Sequence, residues 1–430
     1  MRLLASFACA VLLPAVAAAQ TVAAQTVAVT PAQRATIDRL ASGLHAKVVE
    51  TRRDIHRHPE LGYRETRTAA LVADRLRALG FEDVRSGVGK TGVTAYLKGG
   101  RPGKLVAVRA DMDALPIPEL IDVPYKSTVE GVKHACGHDA HVAIALGVAE
   151  VLSKMRAELR GTVLMLFQPA EEGDPDGGRT GALRMLDDGL FSTKPAAIFG
   201  LHVLPTIDAG TIGLNIGPAM ASADRFTLTV IGQKTHGAYP HTGIDPVPIA
   251  AQIVMALQTI PSRQINATSP TVVSVGEIKG GNRFNIIADQ VALTGTVRTL
   301  SKDGPATVKA RMTQIADGVT KAHGATFKLD YVEGASVTFN EPALARQTRA
   351  VLEAVAGPGK VIEAPPQMGA EDFSYYQQQV PGVFYFLGVR NEAKKITAMI
   401  HTEYFDLDED ALELGVRTMS TAVVDYLQRD

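Results

Sequence analysis

The sequence predicts an α/β protein in which a mostly parallel sheet is flanked by helices and a smaller, ferredoxin-like α+β domain is inserted. Short apolar runs alternate with helical patterns in the first half of the chain, which is typical of parallel strands joined by helices. Between positions 221 and 334 the order changes to strand–helix–strand–strand–helix–strand, an arrangement that closes into a unit by itself. The 430 residues, of which 46% are hydrophobic, are enough for both units.

The larger unit is predicted to begin with two helices. Apolar residues recur at helical spacing from Ile37 until Pro59 ends the pattern, and again from Leu71 until Gly80. Buried strands follow as short continuous apolar runs, because strands covered on both faces lack the polar alternation of surface strands. These strands are predicted at 105–108, 163–167 and 196–201, with helices at 142–155 and 182–186.

The inserted unit is predicted from its own order of elements, and the first pattern resumes after it. Its strands are expected at 226–231, 272–278, 291–300 and 326–332, and its helices at 247–260 and 308–322. A helix at 342–355, a strand at 383–389 and a helix at 411–427 close the chain. We therefore assign residues 34–220 and 335–430 to the larger domain, 221–334 to the insertion and 20–33 to a flexible leader.

The first nineteen residues have the pattern of a secretory signal peptide. Arg2 precedes an apolar run at 3–16, and three alanines at 17–19 stand before Gln20. We expect cleavage there and export to the periplasm or the exterior, with no membrane attachment afterwards. Cys136 is then the single remaining cysteine, so an internal disulfide is excluded.

The 44 basic and 45 acidic residues nearly cancel, which provides no general field for binding nucleic acid.

Polar residues follow the predicted buried strands. Arg109 and Asp111 come after the first, Glu171 and Glu172 after the second, and His202 after the third. In open α/β sheets, ligands bind beyond the carboxyl ends of the strands. We expect these side chains to meet at one edge of the sheet.

The segment from 134 to 141, HACGHDAH, indicates a metal site. Thiolate and imidazole are strong ligands for zinc, and the glycine between Cys136 and His138 lets the two converge. A lone cysteine is more commonly a buried apolar residue, but these neighbours favour coordination. We expect His134 and His141 to cap the following helix or to lie at the surface.

Glu171 and Glu172 are adjacent carboxylates with different expected tasks. Side chains of consecutive extended residues point in different directions, so one can bind a metal while the other accepts a proton. A Glu-Glu pair is usually a solvated turn, but here a buried strand and a proline turn precede it. His401, expected after a strand, is the last candidate ligand.

Motifs along nearly the whole mature chain resemble those of the M20 metallopeptidases, in particular the amidohydrolase branch with hippurate hydrolases, auxin-conjugate hydrolases and N-acyl-amino-acid deacylases. Besides HACGHDAH, they are HPEL at 58–61, RADMDALP at 109–116, PAEEG at 169–173, GLH at 200–202, MGAEDF at 368–373 and HT at 401–402.

The resemblance implies a two-metal site and a lid domain that forms a homodimer. Zinc is the expected ion, with manganese, cobalt or nickel as alternatives, and Glu171 matches the general base. Arg109 stands where other branches have a metal-binding histidine. Asp111 is expected to hold a ligand histidine in place through the ring nitrogen that does not bind the metal. The matching ligand positions are Cys136, His138, Glu172, His202 and His401, with Cys136 shared.

The resemblance also assigns substrate contacts. His236 resembles the lid histidine that donates to the oxyanion, Asn285 and Arg298 resemble residues that bind the substrate carboxylate, and Gly369 resembles a backbone contact. The lid departs from the family pattern at 234–235, Lys-Thr in place of Gly-Gly, and at Ala288 in place of proline. These departures concern substrate choice and not the ligands.

Three functions are open at this point. The first is a metal-dependent amidohydrolase that cleaves N-acyl amino acids or small peptides with a free carboxylate through metal-activated water. The second is a hydrolase that uses Cys136 as nucleophile and His138 as base. The third is a non-catalytic periplasmic binding protein on the same scaffold. Metal removal separates the first two, because a nucleophilic thiol would still turn over substrate.

Overall fold

The structure is a computed structural model that describes residues 27–429. The predicted signal peptide and the leader up to position 26 lie outside these residues. The first helix begins at Pro31, inside the range 20–33 that the sequence assigns to the leader, and the leader itself stays a prediction. The side chain of Thr30 accepts a hydrogen bond from the Gln33 backbone N–H, and the side-chain oxygen of Gln33 accepts one from the Thr30 backbone N–H. This capping box starts the helix, and the Ala28 N–H donates to Asp425 Oδ1.

The helices and strands follow the predicted alternation. The helices, in chain order, are α1 (Pro31–Arg57), α2 (Thr66–Ala78), α3 (His138–Lys154), α4 (Gly181–Asp187), α5 (Pro246–Leu257), α6 (Gly304–Ala322), α7 (Pro342–Ala356), α8 (Phe373–Gln377) and α9 (Ala411–Gln428). The strands are β1 (Glu82–Val88), β2 (Gly92–Lys98), β3 (Arg101–Asp111), β4 (Arg160–Gln168), β5 (Ala197–Asp208), β6 (Ile212–Gly213), β7 (Gly217–Met220), β8 (Asp224–Ile231), β9 (Thr235–His236), β10 (Thr271–Gly280), β11 (Ile286–Ile287), β12 (Gln290–Thr299), β13 (Thr326–Val332), β14 (Thr338–Asn340), β15 (Val361–Ile362) and β16 (Gly382–Arg390).

An eight-stranded sheet forms the centre of the larger unit, in the order β1-β2-β4-β3-β5-β16-β6-β15. The neighbours β4, β3, β5 and β16 run parallel, which confirms the predicted fold class. The hairpin of β1 and β2 adds an antiparallel edge that the sequence analysis missed. Most of β1 is solvent-exposed, so it lacks the apolar run that identified the central strands.

Helices cover both faces of this sheet. On β4, Val163, Met165 and Phe167 pack into one core with α1, α3 and α9, while Leu164 and Leu166 face a second core with α4 and α8. Successive side chains of a strand point to opposite faces, so β4 reads as one continuous apolar run. The carboxyl ends of the parallel strands therefore open at one protected edge.

The inserted unit has a separate core. Its antiparallel sheet has the order β10-β12-β8-β13, and α5 and α6 pack on one face of it around Phe226, Leu228 and Leu293. The strand–helix–strand–strand–helix–strand order matches the prediction, while the boundary residues 221 and 334 stay a prediction. Two short strands, β9 and β11, were not predicted and form a separate pair. Within residues 27–429, every helix falls short of the length and apolar character that a membrane crossing needs.

Candidate metal centre

The loop before α3 brings Cys136 and His138 to the edge of the sheet. Gly137, the N-cap of α3, has φ of 92°, and a Cβ there would lie 2.3 Å from Val203 Cγ2. Glycine therefore satisfies both the left-handed backbone and the close approach to β5. Cys136 is 5% exposed and His138 is fully buried.

His202 faces the sulfur of Cys136 from the neighbouring strand. Its Nδ1 donates to the Val203 carbonyl at 2.6 Å, and its Nε2 lies 3.3 Å from Cys136 Sγ. Burial, with the charges of His141 and His138 beside it, holds the pKa of His202 well below its usual range. A neutral imidazole with a free Nε2 is the form that binds metals. His202 lies within β5 and not after it, because the strand continues to Asp208.

His401 and Glu172 complete the other side. His401 Nε2 lies 3.3 Å from Cys136 Sγ and 2.9 Å from Glu172 Oε1. The expectation of a strand directly before His401 is wrong, since the residue lies in the irregular segment between β16 and α9, with φ of 61°. Its backbone N–H donates to the Ala135 carbonyl at 2.8 Å, which fixes this loop against the cysteine loop.

The five predicted ligands lie together. Cys136, His138 and His202 form one group whose potential ligand atoms lie within 4.8 Å of one another, and Cys136, Glu172 and His401 form a second. Cys136 belongs to both groups. The Nε2 atom of His138 is buried and has no hydrogen-bond partner among the described residues. A sulfur, imidazole nitrogens and a carboxylate around an unpartnered imidazole nitrogen fit a site for divalent cations.

Asp113, and not Asp111, orients the imidazole of His138, a predicted ligand. His138 Nδ1 lies 2.9 Å from the Asp113 carbonyl and 3.2 Å from its Oδ1. Asp111 instead contacts Nδ1 of His141 at 2.6 Å, and its Oδ2 is 3.6 Å from His138 Nε2. Burial alone would lower the pKa of His138, but Asp111 and Asp113 raise it to about 10. Asp113 was visible in the RADMDALP motif but received no role.

The expectation that His134 and His141 cap α3 or lie at the surface is wrong, because both are buried. His141 Nε2 accepts the Val203 N–H at 2.9 Å, so its Nδ1 donates to Asp111. Both nitrogens are therefore occupied by protein groups. Neither ring nitrogen of His134 has a partner within the described part of the chain, and burial lowers its pKa to about 4.

Arg109 joins the acidic groups beneath the site. Its guanidinium contacts Asp111 at 2.7 Å, Glu371 at 2.9 Å and Asp372 at 3.2 Å, and its Nε donates to Gln168 at 2.9 Å. Burial raises the pKa of Glu371 to about 7 and that of Asp372 to about 6, although the charge of Arg109 opposes both shifts. Glu371 and Asp372 lie in the MGAEDF motif, and nothing in that motif predicts their contact with Arg109.

Glu171 lies between the predicted metal ligands and the acidic groups around Arg109. It forms one group with His138 and Glu172 and another with Glu371 and Asp372. Burial, followed by the charges of Glu371 and Glu172, raises its pKa well above the usual range. For Glu172, burial has the same direction, but the hydrogen bond with His401 and the charge of His138 lower its pKa. The two adjacent glutamates therefore occupy different electrostatic environments.

Carboxyl groups surround the centre. The carboxyl groups around it outnumber the guanidinium of Arg109, so positive charge at the site is favourable. The raised pKa of His138 reflects this field. The carboxyl groups are those of Asp111, Asp113, Glu171, Glu172, Glu371 and Asp372.

Comparison with known proteins decides the family. The model of the family described as Peptidase family M20/M25/M40 matches residues 107–425. The chain belongs to peptidase family M20. As a member, it is a hydrolase of amide or peptide bonds.

Relatives and a solved structure agree with this assignment. Thermostable carboxypeptidase 2 of Saccharolobus solfataricus is 41% identical over 370 residues, covering 86% of this chain and 92% of that protein. N-acetylcysteine deacetylase of Bacillus subtilis is 37% identical over 385 residues, covering 89% and 98%. The crystal structure of Bacillus subtilis YXEP is described as that of a dinuclear metal binding peptidase of the M20 family. It is 34% identical to this chain with a TM-score of 0.78, and the match covers 90% of this chain and 99% of that chain.

The four residues predicted to contact substrate in this M20 chain are not among the groups of potential metal ligands. His236 and Asn285 are neighbours, because β9 pairs with β11 and the Gly237 N–H donates to the Asn285 carbonyl at 2.8 Å. His236 is exposed, and the Asn285 side-chain oxygen is buried without a partner in residues 27–429. Arg298 is half-buried on β12, and Gly369 is exposed with its carbonyl bonded to the Ala221 N–H. Their roles stay predictions.

Proposed function

We propose that this protein hydrolyses the amide bond of N-acyl amino acids or small peptides with a free carboxylate, using two divalent metal ions and Glu171 as general base. The observation that carries the proposal is the pair of ligand groups sharing Cys136, with Glu171 beside them in a different environment from Glu172. Zinc is the ion we propose, because sulfur and imidazole ligands suit it. Manganese, cobalt and nickel are the alternatives.

The residues have separate tasks in this reaction. Cys136, His138, Glu172, His202 and His401 would hold the ions. Bound divalent cations would polarise the amide carbonyl and make water a stronger acid. Glu171 accepts the proton from the attacking water and returns it to the leaving nitrogen. Because water is the nucleophile, no covalent link to the protein forms.

The substrate class is supported by the relatives and by the lid. A deacetylase of an N-acetylated amino acid and a carboxypeptidase both act on compounds with an amide beside a free carboxylate. In the lid, Arg298 provides the guanidinium fork that suits a carboxylate, and we assign the side-chain amide N–H of Asn285 as a second donor to the same group. We assign His236 to the oxyanion and a backbone contact to Gly369.

The competing thiol mechanism is disfavoured by the surroundings of Cys136. Burial raises the pKa of its thiol well above the usual range, and the charges of Glu172 and Glu171 add to this. A nucleophilic cysteine needs the opposite, an electropositive and partly exposed setting. A binding protein without catalysis would not need a base beside the ligand groups.

Glu171→Gln and Glu172→Ala test the assignment as a pair. Glu171→Gln should keep both zinc ions and lower kcat by about 100-fold or more, because only the proton acceptor is lost. Glu172→Ala should instead lose zinc. Metal content is measured by mass spectrometry, and turnover with a panel of N-acyl amino acids after chelation and addition of zinc, manganese or cobalt.

The outcomes separate the hypotheses. Full activity of Glu171→Gln would show that the base is a different residue. Turnover by the chelated protein that an alkylating agent abolishes would establish the cysteine mechanism. If the protein bound the N-acyl amino acids of the panel but hydrolysed none of them with any of the metals, it would be a binding protein without catalysis.

We also propose that the chain is exported and forms a homodimer through the lid. Export is supported by Arg2, the apolar run and the alanines before Gln20. The dimer is supported by the edge strand β10 and by large apolar side chains exposed on the lid, Met255 at 72% and Ile278 at 62%. N-terminal sequencing of the mature protein tests cleavage, and light scattering tests the dimer.

A further inference from the structure

The turn between β4 and the two active-site glutamates is held in an unusual conformation. Ala170, directly before Glu171, is fully buried and has φ of 44°, a left-handed conformation that side-chain-bearing residues rarely adopt. Such a conformation persists only where the surroundings fix it. What fixes Ala170 therefore also determines where Glu171 and Glu172 point.

Glu65 provides one of these contacts from a distant part of the chain. Its side chain is fully buried, and its Oε1 accepts the Ala170 N–H at 2.8 Å. Its other oxygen, Oε2, accepts the hydroxyl proton of Thr91 at the hairpin of β1 and β2. The two oxygens thus join α2, the hairpin and the turn.

The role of Glu65 is not that of an ordinary helix cap. It occupies the N-cap position of α2, where a side chain normally accepts an N–H of its own helix, but it makes no such bond. Glu60 does this instead, accepting the N–H groups of Arg67 at 2.9 Å and Thr68 at 2.8 Å. Because Glu60 caps the helix, the carboxyl group of Glu65 is available for the turn.

A second acidic residue fixes the other side of Glu171. The Glu172 N–H donates to Asp113 Oδ2 at 3.0 Å, and Asp113 also contacts His138. The backbone is therefore held by one carboxyl group directly before Glu171 and by another directly after it. Asp113 contacts the proposed metal ligand His138 itself, whereas the side chain of Glu65 bonds to the turn and to Thr91.

We propose that Glu65 is a positioning residue that acts through the Ala170 N–H to hold Glu171 and Glu172 in place for proton transfer and metal binding. The inference rests on the proposed function of these two glutamates. Burial raises the pKa of Glu65 to about 7, so the fold retains a carboxyl group where its charge is unfavourable.

The test compares Glu65→Ala and Glu65→Gln with Glu60→Ala in the full-length protein. Glu60 is the matched control, because it is the same residue type at the same end of α2 and bonds only to that helix through its side chain. Three quantities are measured: zinc affinity of the metal-free protein with a competing chelator, kcat and KM for N-acetyl amino acids at saturating zinc, and the unfolding midpoint.

Glu65→Ala should lower kcat and zinc affinity by about 10-fold or more with KM changed less than about two-fold, the size of effect seen for residues that orient metal ligands. Glu65→Gln should stay within about three-fold of the parent, because its amide oxygen still accepts the Ala170 N–H. Glu60→Ala should lower only the unfolding midpoint.

The inference is overturned if Glu65→Ala behaves like Glu60→Ala, with a lower midpoint but unchanged kcat and zinc affinity. If Glu65→Ala does not fold, Glu65→Asp replaces it, because aspartate keeps the charge but places the acceptor oxygen one methylene farther from the Ala170 N–H. Glu65→Asp should also lower kcat. Parental kcat and zinc affinity in this variant would overturn the inference. A parent protein that hydrolyses no amide refutes the proposed function, and the zinc titration then decides the role of Glu65 alone.

Discussion

Replacing Arg109 by methionine is the sharpest test of how the acidic centre is held together. Arg109 is 2% exposed, and its guanidinium is the cation shared by three buried carboxyl groups. Methionine replaces the unbranched aliphatic part of the side chain but removes the guanidinium, and with it the charge and every hydrogen-bond donor. The carboxyl groups left without it are those of Asp111, Glu371 and Asp372.

The size of the effect follows from these contacts. Removing one partner of a buried ion pair typically costs about 3–5 kcal/mol, because the other charge stays buried without compensation. Domains are stable by about 5–15 kcal/mol, so Arg109→Met should remove a large part of the free energy of unfolding. Arg109→Lys keeps the charge but loses the planar fork, so its loss should be smaller.

The loss should depend on pH in a definite direction. The pKa values of Glu371 and Asp372 are already raised, to about 7 and about 6, and removal of the guanidinium raises them further. A carboxyl group whose pKa is higher in the folded than in the unfolded state binds its proton more tightly when folded, so stability falls as pH rises. The loss in Arg109→Met should therefore be smaller at about pH 5 than at about pH 8, by about 1 kcal/mol for each unit of further rise.

Guanidinium unfolding of the metal-free protein, followed by far-ultraviolet circular dichroism, measures this loss. The chain has no tryptophan, so secondary structure is the more sensitive probe. A loss below about 1 kcal/mol at both pH values would refute the reasoning, since it would mean that the carboxyl groups do not need the guanidinium. A large loss that does not change with pH would refute the assigned pKa shifts.

Two further predictions concern the turn and the thiol. Gly181→Ala places a Cβ 1.6 Å from the Pro169 carbonyl oxygen, so it should lower both kcat and stability. Gly189→Ala is the comparison. Its Cβ meets open space but its φ is positive, so it should lower stability alone when both variants are assayed. In the metal-free folded protein at about pH 8, iodoacetamide should modify Cys136 at least about 10-fold more slowly than in the urea-unfolded chain, because burial raises the pKa of the thiol. Mass spectrometry of the alkylated fraction over time measures the two rates. Rapid alkylation of the folded protein would favour the cysteine mechanism.

Much of the fold could be predicted from the sequence, because the apolar period of each segment reports its local environment. The buried run at 163–167 became β4, and the element order of the insertion matched. The edge strand β1 was missed, since a strand that is exposed at most positions has no such period, whereas β2 is mostly buried and its omission has no such explanation. The early start of α1 depends on the capping box of Thr30 and Gln33, which requires side-chain geometry.

The site could be predicted in its residue types but not in its contacts. The five ligand candidates come together as expected, although His202 lies within a strand and His401 in a loop with a left-handed backbone. The role of Asp113 could not be separated from that of Asp111, because motif spacing does not show which ring nitrogen a carboxylate faces. Glu65 is 105 positions from Ala170, a contact that only the folded chain creates.

Anomalous diffraction at the zinc edge, from crystals of the metal-loaded protein, tests the central claim most directly. The account predicts two anomalous peaks, one beside His202 and the other beside His401, with Cys136 Sγ about 2.3 Å from an ion. The absence of any peak would contradict the account, and so would peaks that lie away from the five proposed ligands Cys136, His138, Glu172, His202 and His401.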